Sequence, residues 1–215
     1  MTAATAVARR VGVFGGAFDP PHWAHCSLAQ TALEQLQLDI LHILPTGHAW
    51  HKARVLSPAE HRVAMCRLAF GDLPEVRLDE REIHRQGPSY TADTLKELQN
   101  EYPQATLFLV LGADQLLAFK TWVRWEEVLA LATLAVANRA TNIGADAPLD
   151  QAQEADLSGV DLPFVRLNMP LKNISATAVR ARVSEARSRS GALEVLVPER
   201  VAGYISQHSL YQPPT

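Results

Sequence analysis

The sequence predicts an α/β protein in which helices cover both faces of a doubly wound, mostly parallel sheet. Two observations indicate this fold class. Short apolar runs alternate with segments of helical periodicity along the chain, which is typical of successive β-α-β units. The first run, residues 11–14, ends in Gly15-Gly16, and a helical pattern follows within ten residues. The start of that helix is therefore expected at the carboxyl end of a strand, where open parallel sheets bind ligands.

The individual elements follow from periodicity and from turn residues. Strands are expected at residues 10–14, 40–44, 76–78, 106–111, 133–137 and 164–167. Helices are expected at residues 23–38, 58–70, 91–102, 125–131, 175–187 and 198–207, with a further helix after Gly112. Ser57 is interpreted as the N-cap of the second helix, with Pro58 at its first position, and Ser175 as the cap of the helix at residues 175–187.

Three segments show no regular pattern. Residues 1–8 are small and polar and are expected to fray, and residues 81–88 are expected to form a polar loop. Residues 138–162 are acidic and rich in Ala, Asp and Gln, which predicts a surface loop. Since no segment resembles a linker, residues 1–215 are expected to form a single domain.

Composition excludes several classes of protein. The 215 residues are 47% hydrophobic and carry a formal net charge of -3, so the chain can bury a sizeable core and has no overall attraction to nucleic acid. No apolar run is long enough to span a membrane. The two cysteines, Cys26 and Cys66, lie in helical patterns and are expected to be buried thiols rather than a disulfide, which favours a cytoplasmic location.

The stretch after the first strand, residues 15–25, reads Gly-Gly-Ala-Phe-Asp-Pro-Pro-His-Trp-Ala-His. Gly15 and Gly16 let a ligand approach the backbone closely. The unpaired N–H groups of the helix start and its dipole favour a phosphate. His22 and His25 are three residues apart and share one face of the first helical turn. The spacing matches neither of the two common nucleotide fingerprints, so the phosphate site is of another kind.

The histidine pair has a second interpretation, as part of a zinc site. Zinc needs at least one further protein ligand, and no other histidine has a fixed position relative to the pair in the sequence. The nearest candidates along the chain are His42, His48 and His51. A resident metal is therefore not expected.

Residues 15–25 resemble the G-G-[ST]-F-D-P-x-H-x-G-H signature of the nucleotidyltransferase superfamily. Residues 174–180, Ile-Ser-Ala-Thr-Ala-Val-Arg, resemble the same superfamily's I-S-S-T-x-x-R signature. Between them, residues 89–95 and Gly112-Ala113-Asp114 followed by Trp122 are similar to the nicotinate-nucleotide adenylyltransferase branch. The resemblance extends over nearly the whole chain. It implies a Rossmann-like nucleotidyltransferase fold and transfer of the adenylyl group of ATP to nicotinate mononucleotide, with release of pyrophosphate, in NAD biosynthesis.

The chemistry of that reaction fits the residue types present. The nucleophile is a phosphate oxygen that is ionised near neutral pH, because its second pKa is about 6. Catalysis therefore needs no general base and depends on positioning and charge stabilisation. His25 is the first candidate for contacting the α-phosphoryl oxygens, and His22 for the neighbouring phosphates. Asp19 is expected to form an Asx-turn with its own backbone, with a water-mediated contact to Mg²⁺ as a further option.

The resemblance implies roles for further residues. The predicted catalytic set is His22, His25, Lys52 and Arg180. Predicted ATP contacts are Gly15, Gly16, Ala17, Phe18, His22, His25, Gly112, Asp114, Ile174, Ser175, Thr177 and Arg180. Predicted mononucleotide contacts are Gly16, Ala17, Phe18, Lys52, Thr91, Ala92 and Trp122. The β- and γ-phosphates would lie at Ser175 and Thr177, the adenosine ribose at Asp114, the pyridine ring on Trp122, and the nicotinate carboxylate at Thr91 and Ala92. The only expected cofactor is Mg²⁺ carried with ATP.

The sequence departs from the family pattern at four places. Ala17, Ala24 and Ala176 replace a hydroxyl residue, a glycine and a serine, and Trp50-His51 precedes Lys52 where the family has Pro-His. None of these changes removes a charge, so altered affinity rather than lost activity is expected. The alternatives are a nicotinamide-mononucleotide or pantetheine-phosphate adenylyltransferase, or a catalytically silent nucleotide-binding protein.

Overall fold

A computed structural model describes residues 8–47, 55–137, 140–141, 153–170, 174–185 and 193–212. Its strands are β1 Arg10–Gly16, β2 Ile40–Pro45, β3 Val76–Leu78, β4 Thr106–Gly112, β5 Ala132–Ala137, β6 Ala140–Thr141, β7 Gln153–Glu154 and β8 Phe164–Leu167. Its helices are α1 Trp23–Leu36, α2 Ala59–Phe70, α3 Arg81–His84, α4 Thr91–Glu101, α5 Ala113–Leu117, α6 Trp125–Leu131, α7 Ala176–Glu185 and α8 Glu199–Gln207. A short 3₁₀ turn, Phe119–Thr121, follows α5.

The main sheet has six parallel strands in the order β3-β2-β1-β4-β5-β8. The chain moves outward from β1 to β3 and then crosses back to β4, so the direction of winding reverses between β1 and β4. Val13 of β1 pairs with Leu109 of β4, three residues before Gly16 and Gly112 respectively. Because ligands bind at such a switch point, the two predicted nucleotide-binding turns lie side by side at the favoured edge.

The six predicted strands and the doubly wound parallel sheet are confirmed. Apolar residues are buried on both faces of the sheet, in clusters that include Val13, Leu95 and Leu134 on one side and Phe14, Ala29 and Ile43 on the other. Burial on both faces explains why the strands read as continuous apolar runs. A third cluster joins α2, α7 and α8 and includes Met65, Val179 and Val201.

The prediction that residues 81–88 form a loop is wrong for the first half of the segment, which is helix α3. Asp79 explains the turn, because its carboxylate accepts a hydrogen bond from the Arg81 backbone N–H over 3.1 Å. The same carboxylate takes two bonds from the Arg81 side chain, which also reaches Glu101 of α4. Polar composition in this segment therefore reflects a salt-bridge cluster that joins β3 to α4.

The prediction of a surface loop over residues 138–162 is also wrong in part. Strand β6 pairs antiparallel with β7. Ala155 and Leu157 are each only 7% exposed and join the core beside β4 and β5. Asp156 between them is exposed, so residues 155–157 alternate between buried and exposed. The acidic composition of the segment obscured this period-2 pattern. Residues 142–152, and the predicted frayed end at residues 1–7, lie outside the described residues.

Two smaller findings concern the described part of the chain. None of its helices is long and apolar enough to cross a membrane. Cys66 is buried and Cys26 is partly buried, and neither forms a disulfide. The predicted burial is confirmed for Cys66 and is only partial for Cys26.

Candidate active site

The end of β1 exposes its backbone at Gly15. A Cβ atom placed at Gly15 would meet nothing closer than the Leu44 carbonyl oxygen at 4.0 Å, so the position is open. At Gly16 a Cβ atom would lie 3.1 Å from the Phe18 ring, which is a tight contact. Phe18 is 1% exposed and packs edge-to-face on Phe14. Its side chain anchors the turn, and only its backbone is placed to approach a ligand.

The two histidines of the turn are brought together as predicted. His22 precedes α1 and His25 lies in its first turn, and their rings stack with centroids 3.8 Å apart. The His22 backbone N–H donates to Nδ1 of His25 over 3.3 Å. In a neutral imidazole that accepts at Nδ1, the proton is on Nε2. The bond therefore makes Nε2 of His25 a hydrogen-bond donor.

The two rings differ in accessibility. His22 is completely buried, whereas His25 is only partly buried and also packs edge-to-face against the Phe18 ring. His25 is therefore the better placed of the two to reach a ligand, and the stack on His22 restricts its orientation. The direct contact of His22 with phosphate stays a prediction.

The second signature lies against the first. Arg180 of α7 donates from its guanidinium to the Asp19 carbonyl oxygen over 2.8 Å and to the Thr177 hydroxyl over 3.0 Å. The predicted capping by Ser175 is confirmed, because its hydroxyl accepts from the Ala178 N–H over 3.1 Å. Thr177 is exposed and Ser175 is half-buried, so both hydroxyls lie at the accessible start of α7. Ile174 is buried and anchors this helix start in the core.

Asp19 lies at the centre of these contacts, with its side chain inside the protein. It is 1% exposed, and its carboxylate accepts from the Ser57 N–H over 3.1 Å and from the Tyr211 hydroxyl over 2.6 Å. The predicted Asx-turn is wrong, because Pro20 and Pro21 have no N–H to donate. The structural role of Asp19 rests on long-range bonds instead. The prediction that Ser57 caps α2 is wrong, since the helix begins at Ala59 with Pro58 in the capping position. Ser57 instead supplies its N–H to Asp19.

A buried arginine, Arg62, holds the backbone of the same turn. Arg62 of α2 is 2% exposed and donates to the carbonyl oxygens of Ala17 (3.1 Å), Thr46 (2.8 Å) and Ser57 (3.0 Å). It thereby ties the segments that follow β1 and β2. Sequence reasoning missed this residue, because an arginine within a helical pattern resembles an exposed one.

The start of α4 is the predicted wall for the nicotinate carboxylate. Thr91 is half-buried there, while Ala92 is fully buried, so Ala92 can meet a ligand only through its backbone N–H. Asp93 forms an ion pair with Arg124 over 2.6 Å. Trp122 is partly buried and packs on Phe119 with ring centroids 5.3 Å apart. Stacking of the pyridine ring on Trp122 stays a prediction.

A second carboxylate, Glu82 of α3, lies close to this wall and was not foreseen. It accepts a hydrogen bond from the Thr94 hydroxyl over 2.9 Å, and Arg85 donates to the same hydroxyl over 3.1 Å. Burial raises the pKa of Glu82, and the Thr94 hydroxyl and Arg85 act in the opposite direction. A Cβ atom at Gly47 would lie 2.0 Å from the Glu82 carbonyl oxygen. Only glycine therefore fits where the segment after β2 crosses α3.

The predicted adenosine residues lie at the end of β4. Gly112 is the last residue of that strand, and Asp114 is exposed in the first turn of α5. The Gln115 side chain donates to the Asp114 carboxylate over 3.0 Å. Lys52 lies outside the described residues, as do His48 and His51. Within the described residues, no group of three or more His, Cys, Asp or Glu side chains could hold a metal ion.

Comparison with known proteins assigns the family. The model of the cytidylyltransferase-like family matches residues 13–182. A protein of Albidiferax ferrireducens, named a probable nicotinate-nucleotide adenylyltransferase, is 50% identical over 95% of this chain and 98% of its own length. A protein of the same name from Methylibium petroleiphilum is 42% identical over 96% of this chain and 94% of its own. The chain belongs to the nicotinate-nucleotide adenylyltransferase family.

Solved nicotinic acid mononucleotide adenylyltransferases share the fold. The Plasmodium falciparum enzyme complexed with APC superposes with a TM-score of 0.75 at 17% identity, covering 94% of this chain and 97% of its own. The same enzyme complexed with NaAD gives a TM-score of 0.76 at 18% identity. The fold and the family resemblance predicted from the signatures are thereby confirmed.

Proposed function

We propose that this chain transfers the adenylyl group of ATP to nicotinate mononucleotide, giving nicotinate adenine dinucleotide and pyrophosphate as a step of NAD biosynthesis. The observation that carries the proposal is the contact between the two signatures. Arg180 bonds directly to the backbone of Asp19, so the two predicted phosphate-binding segments are in contact. Relatives that share 50% and 42% of their residues with this chain bear the corresponding name.

The reaction requires two anions to meet in line. An oxygen of the mononucleotide phosphate attacks the α-phosphorus of ATP, and the bond from that phosphorus to the bridging oxygen of the β-phosphate breaks. The electron pair leaves with pyrophosphate. Since the attacking oxygen is already ionised near neutral pH, the protein's task is to hold the groups and stabilise charge.

His25 is proposed as the donor to the transferring phosphoryl group. Its Nδ1 is occupied by the His22 N–H, so its Nε2–H can donate to a non-bridging oxygen of the α-phosphate. Gly15 presents the open backbone beside it. A donor that is oriented before the ligand arrives stabilises developing charge without reorganisation.

The start of α7 is proposed to hold the β- and γ-phosphates. Ser175 and Thr177 offer hydroxyls and the helix offers its first N–H groups, and the Thr177 hydroxyl contacts the Arg180 guanidinium. Pyrophosphate then leaves from a site that is positive before ATP binds. Lys52, in the segment after β2, is proposed as a further cation.

The mononucleotide and adenosine ends are proposed to occupy the two sides of the switch point. Asp114 and the Gly112 backbone would contact the adenosine ribose. Thr91 and the Ala92 N–H would face the nicotinate carboxylate, and the exposed part of Trp122 would contact the pyridine ring. Arg124 already neutralises Asp93 near this wall, which reduces its repulsion of an anionic base.

Mg²⁺ is proposed to enter with ATP and to leave with pyrophosphate. Phosphate oxygens and water are its preferred ligands, and it is seldom held by an all-protein cage. Activity should be lost when EDTA exceeds total Mg²⁺ and should return when Mg²⁺ is added. Stoichiometric zinc that survives dialysis against chelator would instead favour the metal interpretation of the histidine pair. A cytoplasmic location is part of the same proposal, supported by the two reduced thiols.

Pyrophosphate release tests the assignment. The protein is mixed with ATP, Mg²⁺ and, in turn, nicotinate mononucleotide, nicotinamide mononucleotide or pantetheine phosphate, and each product is identified by its mass. Nicotinate adenine dinucleotide should form fastest. Faster turnover of either other acceptor would move the chain to that branch, and no pyrophosphate with any acceptor would indicate a silent nucleotide-binding protein.

A further inference from the structure

We propose that Tyr211 is a positioning residue for adenylyl transfer, acting through the buried Asp19 carboxylate on the phosphate-binding turn. The inference rests on the proposed function and extends it to the C-terminal segment, residues 193–212. The matched family region ends at residue 182, so this segment lies outside it. Its connection to the turn is visible only in the structure.

The contact between Tyr211 and Asp19 is short, buried and distant in sequence. The Tyr211 hydroxyl donates to Oδ1 of Asp19 over 2.6 Å, although 192 residues separate them. Burial and the neighbouring Asp19 carboxylate raise the pKa of Tyr211, so its hydroxyl keeps its proton at neutral pH. Hydrogen bonds to a charged acceptor are the short and strong class, which suits a group that fixes another in place.

Asp19 transmits that constraint to the residues proposed to bind ATP. Its second carboxylate oxygen is held by the Ser57 N–H, and its backbone carbonyl accepts from Arg180. Ser57, Arg180 and Tyr211, which are far apart in sequence, therefore all bond to Asp19 of the turn. A shift of Asp19 would displace both the backbone that leads to His22 and the partner of the Arg180 guanidinium.

The rest of the C-terminal segment is bound to the same region. The Trp23 backbone N–H donates to the Leu196 carbonyl over 3.0 Å, and its indole N–H donates to the Glu194 carbonyl over 2.9 Å. Tyr211 itself has φ 64°, in the left-handed region that is unfavourable for a residue with a side chain. Such a conformation persists where the surroundings determine it, and here it directs the ring toward Asp19.

The chain offers a matched control on helix α8. The Tyr204 hydroxyl hydrogen-bonds to Nδ1 of His61 over 2.9 Å, so Tyr204→Phe removes the same atom and one hydrogen bond from the same C-terminal segment. Its partner is an imidazole outside the phosphate-binding turn. A merely structural role of Tyr211 predicts that the two variants behave alike, whereas a positioning role predicts that only Tyr211→Phe slows turnover.

The test compares wild type, Tyr211→Phe and Tyr204→Phe at saturating ATP and nicotinate mononucleotide, well below their melting temperatures. Tyr211→Phe should lower kcat by about tenfold, as for loss of one bond to a charged group, and should change KM for the mononucleotide by less than twofold. Tyr204→Phe should keep kcat within twofold of wild type. If wild type itself makes no dinucleotide, the proposed function has failed. If wild type is active and Tyr211→Phe keeps its kcat, the role of Tyr211 has failed.

Asp19→Asn provides an independent test, which can be used even if Tyr211→Phe does not fold. An asparagine can accept from Ser57 but offers no charged acceptor to Tyr211, so kcat should fall. If Tyr211 acts through Asp19, adding Tyr211→Phe to Asp19→Asn should lower kcat by less than twofold more. Wild-type kcat in Tyr211→Phe, equal losses in the two tyrosine variants, or full additivity in the double variant would each overturn the proposal.

Discussion

His22 donates its backbone N–H to the ring of His25, and the two imidazoles stack with centroids 3.8 Å apart. His22 therefore fixes both the tautomer and the orientation of the His25 ring. The division of labour follows from burial, because His22 is inside the protein and His25 is partly accessible. His25 is therefore interpreted as the donor and His22 as the residue that holds it, rather than the two as equivalent ligands.

We expect His25→Ala to lower kcat by roughly 10² or more, as for loss of an oriented donor to the transition state. The melting temperature should change little, because His25 is only partly buried. His84→Ala is the matched control, since that histidine is exposed on α3, and it should keep wild-type turnover. Pyrophosphate release at saturating substrates measures both variants, and near wild-type kcat in His25→Ala would remove it from the reaction.

The sequence was sufficient for the sheet and for the position of the phosphate turn. Apolar runs bounded by glycine and proline define the six parallel strands, and Gly15-Gly16 marks the switch point, because these signals are local. Local patterns also predicted the Ser175 cap. The two-residue strands β6 and β7 were missed, because pairing over so short a length leaves no periodicity.

Contacts between distant residues could not be predicted in the same way. Arg62 lies in a helical pattern and Glu82 in a polar segment, and the burial of each depends on partners brought together by folding. Tyr211 gives no local signal of its bond to Asp19, since 192 residues separate them. The family signatures predicted that Arg180 and the turn belong to one site. They did not predict the bond between Arg180 and the Asp19 carbonyl, which only the folded structure shows.

Arg180→Lys should raise KM for ATP by roughly tenfold or more, with a smaller effect on KM for the mononucleotide. A lysine carries the charge but lacks the planar fork that reaches both Asp19 and Thr177, and a hydrogen bond to a charged group contributes about 1.5–3 kcal/mol. Arg182→Lys, an exposed position on the same helix, should be neutral. Steady-state kinetics with each substrate varied in turn provides the measurement, and equal rises in both KM values would place Arg180 elsewhere.

Two glycines of β1 allow stability and binding to be separated. At Gly15 a new side chain meets open space, so Gly15→Val should change the free energy of unfolding by no more than about 0.5 kcal/mol, yet it should raise KM for ATP at least tenfold by blocking the backbone. At Gly12 a Cβ atom would lie 2.5 Å from a Leu38 methyl carbon, so Gly12→Val should lower stability. Urea unfolding and ATP kinetics distinguish the two, and unchanged KM in a folded Gly15→Val would place the nucleotide away from this turn.

The predicted wall at α4 favours nicotinate over nicotinamide. A carboxylate only accepts hydrogen bonds, whereas the NH₂ of an amide only donates. The wall at α4 offers the Thr91 hydroxyl and the N–H groups of a helix start, which favour an anion. Two carboxylates lie near the wall, where Asp93 pairs with Arg124 and Glu82 accepts from the Thr94 hydroxyl.

An amide on this wall would therefore set its NH₂ against other donors, at a cost of about 1–3 kcal/mol for each mispaired group. We expect kcat/KM for nicotinate mononucleotide to exceed that for nicotinamide mononucleotide by roughly 10² or more. Arg124→Ala should reduce the ratio, because it releases the Asp93 carboxylate to accept from the amide and to repel the acid. Both substrates are measured side by side at saturating ATP. A wild-type ratio near one would show that the wall also contains an acceptor, and a ratio below one would assign the chain to nicotinamide mononucleotide.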